Sequence, residues 1–253
     1  MTQERTPLDG QTAIVAAGAK NLGGLIATDL AALGANVVVH HHSASSLSDA
    51  QQVAAQVEAT GARALVVAGD LTVPAAVTEL FDAAVDTFGT VDIAVNTVGK
   101  VLRKPITETT VDEYDEMFDV NAKAAFFFLQ EAGKRLADNG SIITIVTSLL
   151  AAYTDGYATY AGAKSPVEHF TRAASKEFAS RGIAVNSIAP GPMDTPFFYP
   201  QETPERVEFH KSQAMGGRLT RIEDIAPIVT FLATGGHWIT GQTIFANGGY
   251  TAR

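Results

Sequence analysis

The stretch TAIVAAGAKNLGG, residues 12–24, places a continuous apolar run directly before a glycine-rich turn and the start of a helix. An apolar run such as TAIVAA, residues 12–17, is typical of a strand that is covered on both faces. The turn lies where α/β folds bind a pyrophosphate, because free backbone N–H groups and the positive end of a helix dipole favour an anion. We expect Gly18 to make the tight turn and Gly24 to let the helix pack close to the strand, although plain strand-to-helix connections are often glycine-rich too.

The same alternation of strand and helix continues to the end of the chain. Apolar runs predict seven strands, at 12–17, 35–40, 63–69, 91–96, 141–148, 183–190 and 242–247. Helical patterns lie between them, at about 22–33, 47–59, 74–88, 111–138, 157–180 and 223–234. This order predicts an α/β doubly wound Rossmann fold, with a seven-stranded parallel sheet and helices on both faces. Since no repeat, linker or change of composition interrupts it, we expect residues 1–253 to form a single domain.

Composition argues against several classes of protein. The formal net charge of -9 disfavours a nucleic-acid partner, because phosphate binding needs concentrated Lys and Arg. The chain has no cysteine, which excludes disulfides and thiolate metal sites and fits a reducing cytoplasm. The segment MTQERTPLDG, residues 1–10, lacks the apolar core of a signal peptide. The most apolar run, AKAAFFFLQEAG, is too short to cross a bilayer, so we expect a cytoplasmic protein without a membrane partner.

The end of the second strand bears on the choice of dinucleotide. An NAD site usually carries Asp or Glu there, to accept a hydrogen bond from the ribose 2′-hydroxyl. Here VVVHHHSASS, residues 37–46, is followed by no acid until Asp49. An uncharged or cationic rim suits a 2′-phosphate, which could contact Lys20, His41, His42 and the serines at 43, 45 and 46. The alternative is a solvated polar loop. A metal site is disfavoured because adjacent side chains on an extended segment diverge.

Tyr160 and Lys164 stand one helical turn apart in YATYAGAKSPVEHF, residues 157–170. Residues at i and i+4 share a helix face, so the ammonium can lie near the phenol. The ordinary pKa of a phenol is about 10, and a neighbouring cation lowers it by stabilising the phenolate. Such a pair can pass a proton to or from a carbonyl oxygen. Taken alone, the spacing also fits a packing aromatic residue and a solvated lysine.

In their order and spacing, the motifs resemble the single-domain branch of the short-chain dehydrogenase/reductase superfamily over nearly the whole chain. The matching pieces are Gly18 to Gly24, GDLT (69–72), NTVG (96–99), Asn121, TS (147–148), Tyr160 with Lys164, IAPGPMDT (188–195), GR (217–218), EDIA (223–226) and GQTIFANGG (241–249). Three of them depart from the family pattern. The family turn reads Gly-x-x-x-Gly-x-Gly, whereas Leu22 takes its central position here; NTVG replaces Asn-Asn-Ala-Gly; and Asn247 stands where the family often has Asp.

The resemblance implies an oxidoreductase, similar to carbonyl or 3-oxoacyl reductases, that interconverts a ketone or aldehyde and an alcohol. NADP(H) is the implied cofactor, with NAD(H) as the less favoured one, and no metal is implied. The partners would be a small carbonyl or alcohol substrate and further copies of the chain, in a homotetramer or homodimer. The alternative from another class is a non-catalytic dinucleotide-sensing or scaffold protein on the same fold, which has no need of a proton relay.

The resemblance also implies roles for individual residues. Tyr160 would donate and accept the proton, Lys164 would support it and bind the nicotinamide ribose, and Asn121 would anchor a water that links Lys164 to solvent. Asp70 is expected near the adenine, and Asn96 near the adenosine ribose or as a link between strands. The implied cofactor-binding residues are Gly18, Lys20, Asn21, Leu22, Gly24, His41, His42, Asp70, Leu71, Asn96, Gly99, Tyr160, Lys164, Pro190, Gly191, Met193 and Thr195.

Two adjacent hydroxyls compete to polarise the substrate carbonyl. The family's serine most often precedes the tyrosine by thirteen positions, which favours Thr147, whereas residue type and the match of TS to a Ser-Ser pair favour Ser148. Successive side chains of a strand point to opposite faces, so both cannot face the cofactor while the strand continues. Because a loop easily absorbs a change of one residue and Thr would add a methyl group to a tight pocket, we expect Ser148.

The segment PFFYPQETPERVEFHKSQAMG, residues 196–216, is expected to cover the active site as a substrate lid. Its aromatic side chains could contact a substrate, pack within the lid or form an interface. Tyr153 and Tyr157, upstream of the Tyr160–Lys164 pair, are further candidates for the pocket wall.

Overall fold

The computed structural model describes residues 6–252, within which seven strands form one parallel sheet. The strands are β1 (Thr12–Ala16), β2 (Asn36–His41), β3 (Ala64–Ala68), β4 (Ile93–Asn96), β5 (Ser141–Ile145), β6 (Ala184–Pro190) and β7 (Thr243–Ala246). Their order is β3-β2-β1-β4-β5-β6-β7, and every neighbouring pair is parallel. The predicted doubly wound Rossmann fold is therefore confirmed.

Helices cover both faces of this sheet. They are α1 (Asn21–Ala32), α2 (Leu47–Ala59), α3 (Pro74–Phe88), α4 (Val111–Phe118), α5 (Ala124–Arg135), α6 (Ala158–Glu177), α7 (Pro204–Ser212) and α8 (Ile222–Thr234). Alternate residues of β1 pack on opposite faces: Ala13 and Val15 lie in the core under α1, α2 and α8, and Ile14 and Ala16 in the core under α3, α5 and α6. Because both faces are buried, the strands are continuous apolar runs, which is the pattern that predicts them.

The chain reverses its direction of travel across the sheet after β3. From β1 it runs outward to β2 and β3, then crosses back to β4 and continues outward to β7. The carboxyl ends of β1 and β4 lie side by side, with Ala16 paired to Asn96. In open α/β sheets a crevice for ligands forms at this point, because the connections from the two strands leave in opposite directions.

The helix predicted at 111–138 is interrupted close to this crevice. It consists of α4 and α5, with a π-helical turn at Asp119–Lys123 between them. The side-chain amide of Asn121 lies in that turn and donates to the Met117 carbonyl at 2.9 Å. A polar side chain that bonds to the backbone in this way competes with the regular helical bonds, which explains the local widening of the helix.

The fifth strand is shorter than the predicted range 141–148. It ends at Ile145, and residues 148–150 form a short 3₁₀ turn. Residues 147 and 148 therefore lie beyond the pleated strand, where the alternation of side chains no longer applies.

Across residues 6–252, every helix is too short or too polar to span a bilayer. In the same residues, no group of three or more His, Asp or Glu side chains is placed to hold a metal ion.

Candidate active site

A cavity of about 900 Å³ opens at the carboxyl ends of the central strands. Its walls come from the glycine-rich turn after β1, the ends of β2, β4, β5 and β6, the first turns of α6 and the segment 196–216. The expected site residues that line it are Lys20, Asn21, Leu22, His42, Asp70, Leu71, Gly99, Ser148, Tyr160, Lys164, Pro190, Gly191, Met193 and Thr195. One cavity therefore brings together most of the expected cofactor residues and the Tyr160–Lys164 pair.

The tight turn after β1 is made by Ala17 rather than by Gly18. Ala17 and Asn21 both have a left-handed backbone, with φ of 56° and 51°. A Cβ added to Gly23 would lie 2.3 Å from the Ala17 carbonyl oxygen, so Gly23 is the glycine that lets the helix approach the turn. The family spacing Gly-x-x-x-Gly-x-Gly thus falls on residues 17, 21 and 23. The expected assignments, the tight turn to Gly18 and the close helix packing to Gly24, are therefore each wrong by one residue.

A buried histidine that no motif indicates holds this turn. The N–H of Ala17 donates to Nδ1 of His40 at 3.1 Å, and Nε2 of His40 donates to the Gly69 carbonyl at 2.9 Å. Both bonds need the neutral imidazole, and burial lowers the pKa of His40 to about 4. His40 thereby ties the turn to the end of β3. This offsets part of the cost of a left-handed conformation in a residue that has a side chain.

The next two histidines differ in their placement. His41 is buried and lies outside the cavity, with its Nδ1 2.9 Å from the Ser43 carbonyl oxygen. His42 lines the cavity, is largely exposed and lies 3.9 Å from a carboxylate oxygen of Asp70. The expected cofactor contact of His41 therefore does not match its position, whereas that of His42 does.

The donors at this end of the cavity fit the phosphates of a dinucleotide. The helix α1 begins at Asn21, its first turn contains no acidic residue, and Lys20, which precedes it, forms no side-chain cap. Its backbone N–H groups and the positive end of the helix dipole can therefore bind an anion. Lys20 lines the same part of the cavity and lies 3.9 Å from Asp49, in an exposed pair.

Tyr160 and Lys164 are both buried in α6 and line the cavity. Burial raises the pKa of the Tyr160 phenol to about 12, although donation from the Thr147 hydroxyl to the phenol oxygen acts in the opposite direction by stabilising the phenolate. Burial lowers the pKa of Lys164 to about 8. The expected lowering of the phenol pKa is not observed, because desolvation disfavours the charged form of each group. Tyr160 is therefore protonated at neutral pH.

Backbone carbonyls hold the ammonium of Lys164. Its Nζ donates to the carbonyls of Val98 and Ile145, each at 3.1 Å. Beside the ammonium, the side chain of Asn121 accepts from the N–H of Lys100 at 3.2 Å and donates to the carbonyl of Lys100 at 2.8 Å. A Cβ on Gly99 would lie 3.1 Å from Lys164 Nζ and 3.2 Å from Asn121 Oδ1. A glycine at this position keeps the lysine and the asparagine close together.

The two candidate hydroxyls have different partners. Thr147 accepts from the N–H of Leu149 at 3.3 Å, and its hydroxyl lowers the pKa of the Tyr160 phenol. Ser148 donates to the Ala189 carbonyl at 3.1 Å and accepts from Asn247 Nδ2 at 3.0 Å. Both residues line the cavity. The expected hydroxyl, Ser148, is therefore already held by β6 and by the residue after β7, whereas Thr147 is the one that acts on the phenol.

Five expected residues lie behind the cavity wall and act on its shape. Asn96 accepts from the N–H of Val98, two residues further along the chain, at 2.9 Å, so this bond is local and does not link two strands. The five residues are Gly18, Gly24, His41, Asn96 and Asn121.

The segment 196–216 forms one side of the cavity. The residues of this segment that line the cavity are Phe197, Phe198, Gln201, Glu202 and His210. Its exposed aromatic and apolar residues outside the cavity are Tyr199, Phe209 and Met215. Of the two upstream tyrosines, Tyr157 is buried and lines the cavity, whereas Tyr153 is exposed and does not. Glu202, His210 and Tyr250 also line the cavity. No motif indicates these three residues, because they come together only in the folded chain.

Comparisons with known proteins identify chains that are similar over nearly the whole length. The sequence matches the family model described as enoyl-(acyl carrier protein) reductase over residues 16–251. It is 37% identical to the NADPH-dependent aldehyde reductase-like protein, chloroplastic, of Arabidopsis thaliana, with 99% of this chain and 97% of that protein covered. A Burkholderia cenocepacia crystal structure with bound NADP is 55% identical, with a TM-score of 0.95 and coverage of 100% and 97%. The angucycline C-6 ketoreductase LanV with bound NADP is 33% identical, with a TM-score of 0.90 and 99% of each chain covered.

Proposed function

The chain belongs to the short-chain dehydrogenase/reductase superfamily, and on that basis we propose that it is an NADP(H)-dependent oxidoreductase that interconverts a small ketone or aldehyde and its alcohol. The observation that carries the proposal is the buried Tyr160–Lys164 pair, which shares with the hydroxyl-bearing Thr147 a cavity of the size that small-molecule sites have. Similar proteins bear the names aldehyde reductase and ketoreductase. The test is the decrease of NADPH absorbance with a panel of aldehydes and ketones, and a panel without any turnover would contradict the proposal.

NADP(H) is the proposed cofactor, in preference to NAD(H). Two similar structures contain NADP, and β2 is followed by no carboxylate before Asp49. Lys20 and His42 line the cavity near the uncapped start of α1, where they can bind a 2′-phosphate. When bound, the reduced cofactor supplies a hydride to the carbonyl carbon.

The residues of the chain hold the carbonyl and move the proton. Thr147 Oγ1 donates to the carbonyl oxygen and polarises it, and Tyr160 Oη delivers the proton to that oxygen. The Lys164 cation stabilises the phenolate that this step leaves. We assign to Asn121, which lies across Gly99 from the Lys164 ammonium, a water through which the proton returns from solvent.

The reduction should slow as the pH rises through the pKa of Lys164. Burial places this pKa at about 8, so the ammonium is charged below that pH and increasingly neutral above it. Loss of the cation removes the support for the Tyr160 phenolate, and kcat/KM is expected to fall by up to about tenfold per pH unit on the alkaline side. Steady-state rates between about pH 6 and pH 10 measure this. Tyr160 and His40 do not interfere, because their pKa values are about 12 and about 4. A rate that rises through this range would contradict the assignment.

His42→Asp should weaken NADPH binding much more than NADH binding. The carboxylate of the new aspartate, at about 4 Å from the 2′-phosphate, would cost between about 1 and 4 kcal/mol of binding free energy, depending on the local dielectric. A loss of about 1.4 kcal/mol raises Kd tenfold. Fluorescence titration of both cofactors measures the change. His42→Asn is the matched control, since it removes the imidazole without adding charge. Equal NADPH affinities in the two variants would move the phosphate site away from His42.

The remaining assignments are also proposals. We propose one domain that binds both cofactor and substrate, with residues 196–216 as its lid, and a cytoplasmic location. We further propose a homo-oligomer, a tetramer or a dimer. In support, Phe126 on α5 remains 43% exposed and lies edge-on to Phe170 of α6, which is an apolar face suited to packing between subunits.

The rival from another class is a non-catalytic dinucleotide sensor. It would bind NADPH without consuming it. The buried phenol with its hydroxyl partner and its neighbouring lysine disfavours this rival, because cofactor sensing needs no positioned proton donor.

A further inference from the structure

One wall of the cavity, beside Tyr160, carries a fully buried carboxylate. The side chain of Glu202 has no exposed surface. Its Oε1 accepts from the Tyr157 hydroxyl at 2.5 Å and from His210 Nε2 at 3.2 Å, and its Oε2 accepts from Arg206 Nε at 2.9 Å. The far nitrogen of the imidazole, Nδ1, lies 3.0 Å from the Tyr250 hydroxyl. We call the four residues Tyr157, Glu202, His210 and Tyr250 the polar wall.

The polar wall faces the same space as the catalytic phenol. All four of its residues line the cavity that Tyr160 lines, and the rings of Tyr157 and Tyr160 lie 6.3 Å apart, centroid to centroid. The other residues at the substrate end are mainly apolar, among them Val101, Leu149, Pro192, Phe197 and Phe198. Burying a carboxylate is costly, and an apolar cluster of similar volume would be as stable or more so. In binding sites, a few polar groups on one side of an apolar cavity serve to orient the ligand.

The hydrogen bonds inside the polar wall leave acceptors, not donors, for a ligand. A carboxylate only accepts, so the Tyr157 hydroxyl and the Nε2–H of His210 both donate to Glu202. The other ring nitrogen of His210, Nδ1, is hydrogen-bonded to the Tyr250 hydroxyl. The Tyr157 proton is thus used within the wall, whereas lone pairs remain on both phenol oxygens. A ligand with hydroxyl groups can donate to these two oxygens.

The charges around the wall balance one another, which favours a neutral ligand. Arg206 bonds to both Glu202 and Asp155, and Arg103 bonds to Asp155 at 3.1 Å and lies 3.8 Å from Glu202. Two guanidinium groups therefore face two carboxylates. An anionic substituent would meet only acceptors, and no net negative charge remains to attract a cation.

We propose that the polar wall is a specificity site for the hydroxyl groups of a hydroxylated carbonyl compound, a short polyhydroxy ketone or aldehyde whose carbonyl lies at Tyr160. The proposal depends on the proposed function, since it names the substrate class of the same site. The phenol oxygens of Tyr157 and Tyr250 act in it as acceptors for substrate hydroxyls. Glu202, whose side chain has no exposed surface, is a positioning residue that holds the Tyr157 hydroxyl and, through His210, the Tyr250 hydroxyl. The structural alternative is a clasp that holds the segment 196–216 against the body of the protein.

The test compares substrates that share a carbon skeleton and differ in hydroxyl groups. Erythrulose is paired with butanone, and glyceraldehyde with propanal, with NADPH consumption as the readout. In the wild type, kcat/KM for the hydroxylated member should exceed that for the plain member by about tenfold or more. In Glu202→Gln, which exchanges a carboxylate for an amide that also donates, this ratio should fall by about tenfold, and kcat/KM for butanone and propanal should change less than about threefold.

Tyr250→Phe and Tyr199→Phe complete the design. Tyr250→Phe removes one acceptor near the chain end and should lower the ratio even if Glu202→Gln does not fold. Tyr199→Phe deletes an exposed hydroxyl of the same segment, bonded to Asp194 outside the cavity, and should leave the ratio unchanged.

Three results would overturn the proposal. A wild-type ratio near one overturns it while the proposed function stands. If Glu202→Gln and Tyr250→Phe lowered kcat/KM equally for both members of each pair, the wall would be a structural clasp and not a specificity site. No turnover of any of the four compounds would count against the proposed function as well.

Discussion

Replacing Tyr160 with phenylalanine is expected to lower kcat for carbonyl reduction by about 10²–10⁴-fold, the range for loss of a positioned general acid. The change deletes one hydroxyl and keeps the ring, so the contacts with Tyr157 and Phe197 are retained. NADPH affinity should change by less than about threefold, because the hydroxyl acts on the reacting carbonyl in the transition state. Steady-state turnover and a fluorescence titration of NADPH measure the two effects separately.

Tyr199→Phe is the matched control for this experiment. Tyr199 is also a tyrosine near the cavity, but its hydroxyl bonds to Asp194 at 2.6 Å and its side chain is exposed. Its loss should leave kcat unchanged. A Tyr160→Phe enzyme that kept nearly the wild-type kcat would refute the proposed proton transfer. A variant that no longer bound NADPH would instead assign Tyr160 to cofactor binding.

Thr147→Val should lower kcat/KM by about 10²–10³-fold, the scale for removal of one positioned donor to a developing oxyanion. Valine keeps the β-branched shape of threonine, so the deleted feature is the hydroxyl that lowers the pKa of Tyr160. Thr147→Ser retains the hydroxyl and should keep most of the activity. Initial rates at several substrate concentrations compare the three enzymes.

Ser148→Ala should affect stability more than turnover. The Ser148 hydroxyl links the Ala189 carbonyl to the Asn247 amide, and its loss leaves buried polar atoms short of a partner. The expected cost is about 1–3 kcal/mol in the free energy of unfolding, visible as a lower urea midpoint. If Ser148→Ala lost more turnover than Thr147→Val at equal folding, the carbonyl-binding role would return to Ser148 and the rest of the mechanism would stand.

Local sequence patterns predicted the architecture well because that architecture rests on local regularities. Strands buried on both faces are continuous apolar runs, so β1 and β6 are visible without knowledge of their neighbours. The spacing of Tyr160 and Lys164 is a property of a single helix and needs no tertiary information. The ends of elements were less certain: β5 was predicted to end at residue 148, but it ends at Ile145.

The turn after β1 shows how a correct motif can be read in the wrong register. Glycines at 18 and 24 suggested one alignment, but left-handed backbone occurs at Ala17 and Asn21. Alanine normally avoids this conformation, whereas asparagine tolerates it. In the folded protein, the bond from Ala17 to His40 on the neighbouring strand helps to hold the turn, and a residue 23 positions away supplies it.

The fold and the helix that carries Tyr160 and Lys164 could be predicted from the sequence, because apolar periodicity and i, i+4 spacing are set along the chain. The superfamily could be predicted from the order and spacing of its motifs. The two bonds that hold Ser148, and the wall in which Glu202 joins Tyr157, His210 and Tyr250, became visible only in the folded chain. These contacts join residues that are far apart in sequence: Tyr157 and Glu202 are 45 residues apart, and Ser148 and Asn247 are 99 apart. Hydrogen bonds between such residues depend on how strands and loops meet in space, and no local spacing encodes that.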